Sequence, residues 1–179
     1  MPRVSHHVEP TGPREVVRHY IRDLVYGAND GIITTVAVVA GVTGGALSTH
    51  AIIVVGVANL FADGLSMGVG NYLAIRSDES ARAAAGLPEQ EGSPARHGMA
   101  TFLAFATSGA VPMLPYFFGF GGFTACSVLT LLALFTVGAL RTMVSLDRWW
   151  VAGLEMLGLG VVVALAAYYS GAAMAWLLA

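Results

Sequence analysis

Five long apolar runs, at residues 24–46, 52–75, 99–118, 123–140 and 151–177, constrain this chain more than any other feature. Each is continuously apolar and, at about 1.5 Å per residue, of a length to cross about 30 Å of hydrocarbon. Such runs satisfy their backbone hydrogen bonds internally as α-helices, whereas barrel strands would alternate in polarity. The expected fold is an all-α integral membrane protein with five transmembrane helices. Composition agrees: among 179 residues 56% are hydrophobic and 11% charged, too little polar surface to coat a water-soluble globule.

Arginine placement sets the direction. Arg3, Arg14, Arg18 and Arg22 precede the first run, Arg76, Arg82 and Arg96 lie between the second and third, and Arg141 and Arg148 between the fourth and fifth. The two remaining loops carry none, so the positive-inside rule predicts a cytoplasmic N-terminus and an outside or lumenal C-terminus. Residues 1–22 lack the apolar core of a signal peptide and are expected to remain as a cytoplasmic segment. Residues 23–179 then form one transmembrane domain, with a short cytoplasmic linker at 76–98. Pro112 and Pro115 are expected to kink or break the third helix near Met113.

The balance of charge excludes other classes. A net charge of −2 with no Lys/Arg-rich tract argues against a nucleic-acid partner. The lone Cys126 excludes an internal disulfide and a cysteine-built zinc site. With no Glu-x-x-His pair and no His-Glu-x-x-His helix, a membrane metalloenzyme is not the expected reading.

The informative residues are polar groups inside the apolar runs: Asn29 and Asp30 in the first, Asn59, Asp63 and Asn71 in the second, Glu155 in the fifth. A carboxylate at mid-span costs about 2.5–3.5 kcal/mol on insertion scales, so it is expected to face a cavity, a partner or an ion. Asn59, Asp63, Met67 and Asn71 recur every four residues and form one stripe on the second helix. Asp23, Gly27, Asp30 and Thr34 form a second stripe on the first helix. Gly27 and Gly31 bracket Asp30, and Gly64 and Gly68 bracket the stretch before Met67, a small-xxx-small pattern that predicts close helix approach near the site.

Carboxylate and amide oxygens alone would suit Mg²⁺ or Ca²⁺, but a thioether is a soft ligand and shifts the preference to first-row divalent transition metals. Protons compete with a cation for the same oxygens, which would make an antiporter. Packing readings stand beside these. Met67 could fill the core, Asn59 and Asn71 could be interhelical glue, and Glu155 could snorkel or pair with Arg148. The five histidines, His6, His7, His19, His50 and His97, read as solvated or interfacial, and Asp78, Glu79, Glu89 and Glu91 as an ordinary linker.

The run DLVYGANDGIITTVAVVAGV beginning at Asp23 and the run GVANLFADGLSMGVGNYL beginning at Gly56 resemble the vacuolar iron transporter family, over residues 20–77. The resemblance implies a five-helix fold, a homodimer with the pathway between subunits, and export of Fe²⁺, often also Mn²⁺, from the cytosol in exchange for protons. It places the family's pathway aspartates at Asp23 and Asp30 and its coordinating methionine at Met67. Two positions depart from the family pattern: Asn59 stands where the family has a glutamate, and Asn71 where an acidic residue is common. The short interval between the second and third helices leaves no room for the glutamate-rich cytosolic domain of larger members, and so resembles the shorter nodulin-like branch.

The expected function is therefore a metal transporter, not an enzyme, with Asp30, Met67, Asp63, Asn59 and Asp23 as the metal set and the metal as cargo, not a resident cofactor. The expected setting is a lipid bilayer, either a bacterial inner membrane or a vacuole-like organelle. The competing reading is a non-transporting membrane interaction protein whose buried polar groups only specify helix pairing.

Overall fold

The computed structural model describes residues 10–120, 122–143 and 147–179; His6, His7 and Arg3 lie outside them. The elements are helical: α1 Pro13–Gly44, α2 Thr49–Ala84, α3 Pro94–Ala110, a 3-10 turn Val111–Met113, α4 Leu114–Phe118, α5 Gly122–Arg141 and α6 Trp149–Leu178. Taking α3 to α4 as one interrupted unit, five helices are long and apolar enough to cross a membrane.

Local chemistry explains the ends. Pro13 occupies the first turn of α1, and the Glu15 carboxylate reaches back to accept from the Thr11 and Gly12 amides at 3.0 and 3.3 Å. The helix therefore starts well before the apolar run and carries Arg14, Arg18, His19 and Arg22 on its first turns. Ser48 caps α2 by accepting from the Ala51 amide at 3.3 Å. α2 continues past the apolar run to Ala84. The third helix breaks at Val111–Met113, where Pro112 has no amide to donate, and resumes as α4.

α1 is central. It packs chiefly on α3 and α6, while α2 lies against α3 and α5 against α6. Glycines set these seams. A Cβ on Gly31 would strike the Phe105 carbonyl, and one on Gly27 would stand 2.5 Å from the Thr101 carbonyl. On α2, a Cβ on Gly68 would lie 2.8 Å from the Gly98 carbonyl and one on Gly64 3.1 Å from the Phe105 ring. All four glycines are buried, and each faces α3. α3 thus packs on the glycines that flank both polar stripes, and its Phe105, with no exposed surface, anchors the core with Leu60 and Met113.

The pairs Gly27–Thr101 and Gly31–Phe105 advance together, so α1 and α3 are parallel; the pairs Gly64–Phe102 and Gly68–Gly98 advance oppositely, so α2 and α3 are antiparallel. Gly138 against Ala152 and Gly160 against Leu134 make α5 and α6 antiparallel. The described arginines accordingly gather at one end of the bundle.

Candidate functional site

Two polar levels lie between α1, α2 and α3. The first is at the arginine-rich end. Asp23, 2% exposed, accepts from Asn71 Nδ2 of α2 at 2.8 Å through Oδ1 and faces His97 Nδ1 of α3 at 2.5 Å through Oδ2. The same Asn71 nitrogen donates to Thr101 Oγ1 at 2.8 Å, and the Thr101 hydroxyl donates to the His97 carbonyl at 3.0 Å. Arg22 Nη2 stands 3.8 Å from the carboxylate at the rim. Three helices are thereby tied through one buried carboxylate. Leaving such a buried acceptor without one of its donors costs about 1–3 kcal/mol. The close approach at Gly27 and Gly68 is what lets these short side chains meet.

The second level lies deeper. Asp23 and Asp30 are seven residues apart on one helix, about 10 Å along its axis. α1 and α2 are antiparallel with equal rise, so Asp23 opposite Asn71 places Asp30 opposite residue 64, beside Asp63. The two carboxylates do interact electrostatically, and Asp30 is hydrogen-bonded by the Thr34 side chain one turn on. Asp30 and Asp63 are half-buried. By the same register Met67 stands level with Gly27, between the two polar levels, and it packs, half-buried, on the Leu60–Phe105–Met113 cluster. Asn29 Oδ1 and Asn59 Nδ2 are buried with no hydrogen-bond partner among the described residues.

The five sequence-predicted residues are therefore divided. Asp30 and Asp63 share the deeper level, with Met67 one turn toward the arginine-rich end and Asn59 one turn beyond, while Asp23 is engaged with Asn71 and His97 nearer that end. Asn29 also lines a cavity of about 340 Å³ between α1, α5 and α6, shared with Arg22, Tyr26, Arg141, Glu155 and Met156.

Sequence reasoning missed His97 and Thr101. The solvated or interfacial reading of His97 is overturned: its side chain is 2% exposed. The available signal was the four-residue step from His97 to Thr101, which continues to Phe105 on the face buried against α1. Glu79 and Glu91 are not ordinary linker charges either. Glu79, at the edge of burial, accepts from the Gln90 and Glu91 amides at 2.9 Å each, folding the linker back onto α2. Glu155 pairs with Arg141 across α5 and α6 at 2.5 Å, not with Arg148.

Comparison with known proteins gives the family. A family model described as the VIT family matches residues 21–86 and 78–172. The chain is similar to a vacuolar iron transporter of Toxoplasma gondii, 42% identical over 60 residues, covering 34% of this chain and 20% of that protein. It is also similar to vacuolar iron transporter 1 of Arabidopsis thaliana, 37% identical over 71 residues, 40% of this chain and 28% of that protein. Vacuolar iron transporter 1 of Oryza sativa subsp. japonica is 33% identical over 79 residues, 41% of this chain and 29% of that protein. These matches span less than a third of the length of the curated relatives. With the family model covering most of the sequence and five membrane-length helices in place, the chain is an integral membrane protein and belongs to the VIT family.

Proposed function

We propose that this chain is a carrier for a divalent transition metal, Fe²⁺ or Mn²⁺, moving it out of the cytosol in exchange for protons. The observation that carries the reading is the meeting of Asp30 and Asp63 at one level of the membrane-spanning bundle, with Met67 about one turn away on the same stripe as Asp63. Two carboxylates that repel one another in a low-dielectric setting gain from a shared dication or proton, and the thioether favours a softer ion over Mg²⁺ or Ca²⁺. Because metal and protons compete for the same oxygens, loading one displaces the other. The names of the relatives support iron as cargo.

Two copies form the working unit in this reading. α2 presents Val54, Phe61, Leu65, Val69 and Leu73 outward, while Asp63, on another side of the helix, is only half-buried. A second copy against α2 would remove half-exposed Asp63 from acyl chains, where a carboxylate is costly. In this reading the Asp23 end faces the cytosol, which the clustering of arginines there supports. A bacterial inner membrane or a vacuole-like organelle membrane would both accommodate this direction of export.

The engagement of Asp23 by Asn71 and His97 favours a second reading, a non-transporting protein whose polar groups specify helix pairing. Radiotracer uptake of Fe²⁺ and Mn²⁺ into proteoliposomes, with internal pH followed, separates the two. Metal flux coupled to proton movement and lost in Asp30→Ala/Met67→Ala supports the carrier. Normal flux in that double variant, or dimers without flux, removes it.

A further inference from the structure

Beside Asp23, three ligand-type side chains from separate parts of the chain converge: His19 of α1, Glu91 of the linker and His97 of the first turn of α3. Their ligand atoms all lie within 4.8 Å of one another. His97 Nε2 is 3.1 Å from Glu91 Oε2, and His19 Nε2 is 3.7 Å from the same oxygen. None of the three belongs to the deeper Asp30–Asp63–Met67 set.

The approach of His97 to Glu91 is not a hydrogen bond. His97 Nε2 and Glu91 Oε2 are both buried, stand 3.1 Å apart and lack a hydrogen-bond partner among the described residues. Buried groups left unsatisfied in this way are stabilised by a cation placed between them.

The surroundings orient the lone pairs. The Asp23 carboxylate accepts from His97 Nδ1, so in the neutral imidazole it is Nε2, on the Glu91 side, that keeps a lone pair for a metal. A carboxylate behind a histidine is the usual support of a metal-bound imidazole. Asp23 is itself fixed by Asn71, and the Tyr20 and His19 rings pack 4.7 and 4.9 Å from the His97 ring. Glu91 is held from its own backbone, whose amide donates to Glu79.

Spacing and donor type then restrict the guest. Metal–ligand bonds of about 2.1 Å set neighbouring ligand atoms about 3.0 Å apart at right angles and about 3.4 Å apart at tetrahedral ones. The separations of 3.1 and 3.7 Å lie slightly above those two values. Two imidazoles and one carboxylate suit Fe²⁺, Co²⁺ or Zn²⁺ and disfavour Mg²⁺ and Ca²⁺, which take oxygen ligands.

We propose that His19, Glu91 and His97 bind one first-row divalent transition-metal ion at the arginine-rich end of the bundle, with Asp23 positioning His97 and the remaining coordination open to water. The site stands apart from transport and can be tested without it. Metal-free full-length chain in detergent micelles is titrated with Co²⁺, following the ion's visible absorption, in the parent and in an Asp30→Ala/Met67→Ala background that removes the deeper set. One equivalent of Co²⁺ with nitrogen ligation should bind in both. His19→Ala and Glu91→Gln, at partly exposed positions, should each weaken it by at least ~10-fold, the loss that even an outer partner of a metal ligand produces. These two carry the test, since His97→Ala also strips a buried partner from Asp23 and could fail to fold. Co²⁺ binding that is unchanged in His19→Ala and Glu91→Gln, or that disappears with Asp30 and Met67 alone, overturns the proposal. So does a parent chain that binds no Co²⁺, which would make His97 an imidazolium shared between two carboxylates.

Discussion

Asn71 Nδ2 donates to Asp23 Oδ1 at 2.8 Å, joining α2 to α1 at the level where α3 supplies His97 to the other carboxylate oxygen. An acidic residue at position 71 could not make this contact while ionised. Asn71→Asp is therefore expected to lower the thermal stability of the detergent-solubilised chain by about 1–3 kcal/mol, the cost of leaving a buried acceptor without its donor. An unchanged melting curve would show that the contact is not made.

Gly31 is where α1 and α3 approach most closely, and a methyl group there meets the Phe105 backbone, which cannot swing aside as a side chain would. Gly31→Ala should cost about 1–3 kcal/mol by overpacking. Gly70 of α2 has open space around it, so Gly70→Ala should be neutral or stabilising by up to about 1 kcal/mol through helix propensity. Paired thermal melts of the two variants check the contrast; equal shifts would contradict the α1–α3 seam.

Met67 has a structural role and a proposed ligand role, and one substitution separates them. Met67→Leu keeps most of the volume against Leu60, Phe105 and Met113 and should cost under about 1.5 kcal/mol. It removes the only soft donor of the deeper set. The melting temperature should stay close to that of the parent while Fe²⁺ flux at low concentration falls. Parallel preservation of both would leave Met67 a packing residue alone.

Glu79 holds the linker through two amide donors at 2.9 Å. Hydrogen bonds to a charged group contribute about 1.5–3 kcal/mol. Glu79→Gln should speed hydrogen exchange at the Gln90 and Glu91 amides by about 10- to 100-fold, at about 1.4 kcal/mol per decade. Mass spectrometry of the peptide spanning these residues measures it, and an unchanged rate would mean that the linker is held elsewhere.

Much of this protein is determined by its sequence alone. Five uninterrupted apolar runs leave five membrane-length helices as the form that satisfies every backbone group in lipid, and Pro112 marks the break in the third. Four-residue spacing identified the polar stripes of α1 and α2 and the glycines that border them. Tertiary structure decided what those faces meet. Periodicity reports that a face is buried without naming its partner, so only the packed bundle reveals Asp23 meeting Asn71 across the stripes and Gly27, Gly31, Gly64 and Gly68 all turned to α3. Glu91 in a linker belongs to no periodic pattern, and the four-residue step that starts at His97 does not name what that histidine meets; their positions depend on the fold-back that Glu79 secures and on the carboxylate of Asp23. Glu155 likewise takes Arg141 in place of Arg148, since the α5–α6 crossing, not distance along the chain, sets which charge lies within reach.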